Sequence, residues 1–402
     1  MLITPSLLHV KTRSGRHQQD PANLLRPRGK AAGFAPDGMT AVEILARLDV
    51  EVMGQGPEAT EWQCVRNDHA AMADAGEWHD LLDALRFADQ DRTMASGGQR
   101  VAPLISEGVR STLTAALARN DFARAGDELA RFQAVFELSP GDHAAAHLLA
   151  QALIDIGAAK RDAAGRGQMS QDLWAESAAH YAAAEEILDA FDPIEQMSPL
   201  LAATRYQLIG GIEAGVELCR DWFEDWCDLD PEDARAHATH AIHMLPGWHG
   251  SLTMFEKEAR RAAHITHGVT GKAAYAIFHL SALDRLGDLL PSLDLEFFIE
   301  ALADYQAATG CQHRANVAAN ILTELVRDYR LAGPAANYQL TKARTALSDI
   351  FWNRLHEVHL NRWEHRADSL AFALWEVFGP ALKRGARIAR RGQGLYTRLP
   401  RS

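Results

Sequence analysis

Residues 223–251 read FEDWCDLDPEDARAHATHAIHMLPGWHGS, and this stretch decides the fold class. Phe223, Trp226 and Leu229 recur every third residue, which places them along one side of a helix. Asp230-Pro231 stops that helix, because proline offers no N–H and clashes with the turn before it. Asp233 can then cap a second, Ala/His-rich helix, and Pro246-Gly247 closes it. Helix, tight turn and helix make a hairpin.

The same arrangement occurs 91 residues earlier. Phe132 corresponds to Phe223, Leu138 to Leu229, Pro140 to Pro231 and Asp142 to Asp233. In both copies a Phe stands eight residues before the helix-ending Pro. Recurrence at a fixed offset is the mark of repeat architectures, whose hairpins bury their open faces by stacking on neighbours.

Working outward, helices are expected over Val101–Ala118, from Asp121 to Leu138, and from Asp142 to a C-cap at Gly157, followed by a Gly- and Arg-bearing insertion over Lys160–Gln168. A helix over Gln171–Ala190 ends before Pro193, and the next pair runs from Ser198 past a break at Gly210-Gly211. Two further hairpins are expected, Ser251–Ala263 with Gly271–Leu286 and Asp294–Thr309 with Arg314–Tyr329. A long helix then runs from about Pro334 through Ile350, Leu355 and Leu360 to Gly379-Pro380, and its segment SLAFALWEVF is apolar almost all round.

Composition agrees with a helical, globular chain of 402 residues, 47% hydrophobic and 23% charged. The formal charge of −12 hides a polarity: residues 1–30 carry six Lys/Arg against one Asp, and residues 383–402 carry seven and no acid. An acidic body disfavours nucleic acid as the partner of the folded part, while the basic tail could touch an acidic surface. No run is long and apolar enough for a transmembrane segment, and the N-terminus does not read as a secretory signal, so a cytoplasmic location is expected. Cys64, Cys219, Cys227 and Cys311 form no Cys-x-x-Cys pair, and neither a disulfide framework nor a zinc knuckle is expected.

The hairpin period, with Phe eight residues before Pro and the small residues Ala130 and Cys219 placed for an inner face, resembles the tetratricopeptide repeat. The segment Pro231–Leu280, with its PGWHGS loop and the later GKAAYAIFHLSAL, is also similar to an uncharacterised bacterial family with tetratricopeptide-like helices. This resemblance implies a right-handed α-solenoid of antiparallel hairpins with a helical C-terminal cap. The likeness covers residues 101–332, the expected repeat domain; composition and pattern set apart a flexible basic arm (1–57), a short helical region (58–100), and C-terminal helices with a basic tail (333–402). The resemblance also implies a non-enzymatic scaffold or adaptor that binds a protein or peptide, with no catalytic residues and no cofactor.

Two sets of residues stand out as candidate sites. His237, His240 and His243 follow every third residue, and each step turns about 300° around a helix. His237 and His240 with His264 and His267 (HITH) could line a metal or haem pocket, the basis of an alternative reading as a helical enzyme or sensor. They could equally be half-buried histidines bonded to neighbouring carboxylates. The second set is Trp248 and His249, flanked by glycines in a loop suited to gripping a partner, or to plugging the next hairpin. Trp222 and Trp226 could line a peptide groove or the hairpin core. The string Gly268–Lys272 lacks the phosphate-loop spacing, His356-Glu-Val-His359 lacks that of a zincin, and no nucleophile-elbow or dinucleotide fingerprint occurs.

Overall fold

A computed structural model describes residues 39–165, 171–212, 215–282, 289, 292–363 and 367–399. Most of the expected basic arm, the end of the Lys160–Gln168 insertion, part of the Gly271–Leu286 helix and the last three residues of the tail therefore lie outside the described residues. The described chain is helical throughout, with a few short strands. It divides into two compact units: Glu61–Phe255 in the first, and the residues up to Thr60 together with those from Glu256 onward in the second.

The described part of the expected arm is built into structure. Helix α1 (Ala41–Leu45) carries a full capping box between Thr40 and Glu43, and strands β1 (Leu48–Asp49) and β2 (Glu51–Met53) follow. Next come α2 (Pro57–Ala75) and α3 (Trp78–Gln90). The break expected over Asp89–Gln99 is a small hairpin of β3 (Met94–Ala95) and β4 (Gln99–Arg100), turned by Gly97 and Gly98 at φ 78° and 83°.

The first unit then runs through α4 (Val101–Val109), α5 (Ser111–Leu117), α6 (Phe122–Leu138), α7 (His143–Gly165), α8 (Gln171–Leu188), α9 (Pro199–Gln207), α10 (Val216–Leu229) and α11 (Ala234–His243). Asp121, Ser198 and Asp233 cap α6, α9 and α11, each side chain accepting a backbone N–H of the first turn. At the echoed positions Phe132 and Phe223 are both buried, but Leu138 is 86% exposed and Leu229 only 8%. Helix α7 does not end at Gly157. It continues through Lys160 and Arg161 into the expected insertion, because Gly157 serves packing instead of capping: a Cβ there would press on the Tyr181 ring, and Ser177 Oγ donates to the Gly157 carbonyl at 2.8 Å.

The second unit contains α12 (Leu252–Ile265), which begins in the first, then α13 (His267–Thr270), α14 (Ala273–Ser281), α15 (Leu295–Ala307), α16 (Gln312–Leu331) and α17 (Asn337–Asn353). The expected long helix stops at Asn353. Strand β5 (Glu357–His359) pairs in parallel with β2, and a new helix, α18 (Ala367–Lys383), follows. The reason lies in polar residues of α16. Gln312 Oε1 accepts the His356 N–H at 2.9 Å, and Asn316 accepts from the His359 N–H at 3.0 Å and donates to the Glu357 carbonyl, so the strand's backbone groups are bound from the side. Pro380 sits in the last turn of α18 and does not stop it at Gly379. The apolar stretch of α18 is a packing element, with Leu370 through Leu374 buried. The basic end forms strands β6 (Arg387–Arg391) and β7 (Gly394–Arg398), in a sheet of order β1-β6-β7.

Candidate functional site

Two buried carboxylates set the turn between α10 and α11. Asp230 takes two bonds from Arg100, at 2.7 and 2.6 Å, yet burial still raises its pKa. Asp233 is as deeply buried, but Arg235, which bonds it with both backbone and guanidinium, more than offsets the burial and holds its pKa below the usual range. Trp226 Nε1 also donates to Asp233, at 3.1 Å.

From this turn α11 projects its three histidines into a column of rings. His237 meets Phe223 edge-on at 5.6 Å, and His240 stacks on the same ring at 4.2 Å. His243 stacks on Tyr206 of α9 at 5.3 Å. The Tyr206 hydroxyl lies 2.7 Å from His240 Nδ1, tying the column together. His237 and His243 each pack against an aromatic ring of a neighbouring helix. Burial lowers the pKa of His237 to about 4 and that of His243 to about 3, so both rings are neutral at pH 7.

The PGWHG loop folds back on the end of this column. Gly247 has φ 94°, open to glycine at little cost, and a Cβ on Gly250 would overlap the Met244 carbonyl. The His249 N–H donates to the His243 carbonyl at 3.1 Å, which seats the loop. Half-buried Trp248 then lies between two groups: its ring is 4.9 Å from that of His243, and the Arg161 guanidinium of α7 is 5.6 Å from it. Arg161 is held by the Gly210 carbonyl and also faces Tyr181 at 5.9 Å. The His249 ring stands 6.0 Å from that of His243. His243 Nδ1 and His249 Nε2 are both buried without a hydrogen-bond partner.

Of the eight residues expected from the sequence, the structure brings Trp248 and His249 together with His243, while His237 and His240 stand further along the column. Trp226 is 2% exposed and belongs to the core, where no partner could reach it. Trp222 is half-buried against the core of the first unit. His264 and His267 are exposed positions of the second unit, and among the described residues no three His, Cys, Asp or Glu side chains could hold a metal ion. Arg161, Tyr181 and Tyr206 are the members that sequence reasoning missed. Arg161 fell in a stretch read as an insertion, and no spacing links the two tyrosines to the loop.

A contrasting buried histidine lies in the same unit. His147 of α7 has Nε2 2.7 Å from Ser106 Oγ and Nδ1 2.7 Å from Thr204 Oγ1, so both nitrogens are bonded. It resembles a Ser-His dyad in distance alone, since Ser106 is buried and no substrate could reach it.

Comparison with family models, with curated proteins and with solved structures returned no match.

Proposed function

We propose that this chain is a non-enzymatic scaffold that binds a protein or peptide, and that the Trp248–His249 loop is its contact. The observation that carries the reading is the pair of buried, unbonded ring nitrogens, His243 Nδ1 and His249 Nε2, beside a half-buried indole. A buried polar atom without a partner costs about 1–3 kcal/mol, and a ligand that lifts the covering loop and bonds it recovers this on binding. Trp248 supplies the apolar area that makes tryptophan a common anchor at interfaces. A right-handed solenoid of tetratricopeptide-like hairpins, acting in the cytoplasm, is part of the same proposal. Its support is the paired caps and buried phenylalanines at the two echoed junctions.

The test is a peptide array probed with the wild type, W248A and H243F. Peptides bound by the wild type and lost with both variants support the reading, and an unchanged set of bound peptides would sink it. The alternative, a metal- or haem-binding sensor, predicts a stoichiometric metal or a Soret band in the purified protein.

A further inference from the structure

Three buried nitrogens without a hydrogen-bond partner stand around Trp248. They are His243 Nδ1, His249 Nε2 and Arg161 Nε. The His243 and His249 rings lie 4.9 and 6.4 Å from the indole, and the Arg161 guanidinium lies 5.6 Å from it. They come from the end of α11, the PGWHG loop and α7, so only the fold brings them together. The Arg161 side chain is 13% exposed, and Asp162 Oδ1 stands 4.0 Å from its Nε, beyond hydrogen-bond reach.

The chemistry of the three groups selects an anion. Arg161 Nε only donates, and its guanidinium keeps its charge in a protein. Each imidazole is free to place its N–H on the unbonded nitrogen, because among the described residues no hydrogen bond holds the other nitrogen of either ring. The cluster thus offers three donors. The charge also sets the kind of anion. One guanidinium balances one carboxylate, whereas a phosphate group brings nearly two negative charges to a chain whose formal charge is −12.

The loop covering these atoms is lightly seated. Its backbone bonds are local, from the Trp248 N–H to the Leu245 carbonyl at 3.2 Å and from the His249 N–H to the His243 carbonyl at 3.1 Å. Swinging the half-buried indole outward opens the space beside His243 and Arg161. Resting on the reading of this loop as the peptide contact, we propose that the site takes one peptide carboxylate, from an Asp or Glu side chain or from a C-terminus, which accepts from Arg161, His243 and His249 once Trp248 has swung out. A carboxylate has about four lone-pair sites, enough for the three donors, and bonds to a charged donor are roughly twice as strong as neutral ones. The displaced indole then lies along the apolar part of the peptide.

The direct test titrates propionate and propionamide into the full chain and follows the Arg161 Nε–H and the His243 and His249 ring resonances by NMR. Propionate should shift all three at about 10 mM, and propionamide should leave them in place. R161Q should abolish the shifts, and R161K, which keeps the charge, should retain them at lower affinity. Thermal melts check that both variants are folded. Peptides captured through Trp248 are then remade with Asn or Gln for Asp or Glu, or with an amidated C-terminus. One of these changes should lower affinity at least about tenfold in the wild type and less than about threefold in R161Q, and it identifies the source of the carboxylate. Absent shifts, equal shifts with propionamide, shifts retained in R161Q, or peptides indifferent to both changes would overturn the carboxylate and leave the loop's role as a peptide contact intact. Finding no Trp248-dependent peptide would overturn that role, and the propionate titration would still decide the chemistry of the site.

Discussion

His147 and His243 are both buried helical histidines of the first unit, and burial pushes the pKa of each far below its ordinary value. They differ in their partners. His147 has a hydroxyl on each nitrogen, whereas His243 leaves Nδ1 unbonded and sits against a loop of glycines and a half-buried tryptophan. The hydrogen-bond complement, and not the residue type or the depth, separates a histidine bonded on both nitrogens from one left short of a partner beneath a loop.

The sharpest way to break this comparison is H147A. It removes one hydrogen bond from each of Ser106 and Thr204, which keep their bonds to Arg110 and the Leu200 carbonyl, and opens a cavity, and should cost about 3–5 kcal/mol in denaturant unfolding. A loss under about 1 kcal/mol would mean that the two bonds contribute little.

Asp89 tests the same logic with a carboxyl group. Burial raises its pKa to about 6 although Ser198 Oγ and the Leu200 N–H bond it. The folded state therefore holds this proton more tightly than the unfolded chain. The resulting stability is complete below about pH 4 and is lost as pH rises through about 6. D89N, which can keep both bonds, should be more stable than the wild type by up to about 3 kcal/mol at pH 7 and no different near pH 4.

H243F should keep the stacking on Tyr206 and change stability at pH 7 by less than about 1 kcal/mol. Its effect lies in the pH profile. With a folded pKa of about 3 against an ordinary 6.5, His243 refuses a proton that the unfolded chain accepts. The wild type should thus lose stability as pH falls from about 6.5 toward 3, at up to about 1.4 kcal/mol per pH unit from this ring, and H243F should lack that share. Smallest in stability is W248A, expected to shift unfolding by about 1 kcal/mol or less while abolishing peptide capture. A large loss of stability in W248A would instead assign the indole to the core.

Much of the local structure is legible in the sequence. Asp121, Ser198, Asp233 and Asp294 cap helices because each bond reaches only two or three residues along the chain. The glycines around Trp248 can also be read as a loop. Two expectations failed for one shared reason. Gly157 looked like a helix end, and Leu355 through Leu360 looked like helix, because both assignments depend on partners distant in sequence: Tyr181 for the glycine, and Gln312, Asn316 and β2 for the strand.

The sequence by itself determined the helical class, the turn at Asp230-Pro231 and the burial of Phe132 and Phe223, since periodicity and capping act within a turn or two of helix. Only the tertiary structure decided which histidines have partners and that the basic end is a paired ribbon. The bonds of His147 and His240 reach 57 and 34 residues away, to Thr204 and Tyr206, and β6 pairs with a strand more than three hundred residues earlier. Such contacts form when packing brings remote segments together, and no local pattern encodes them.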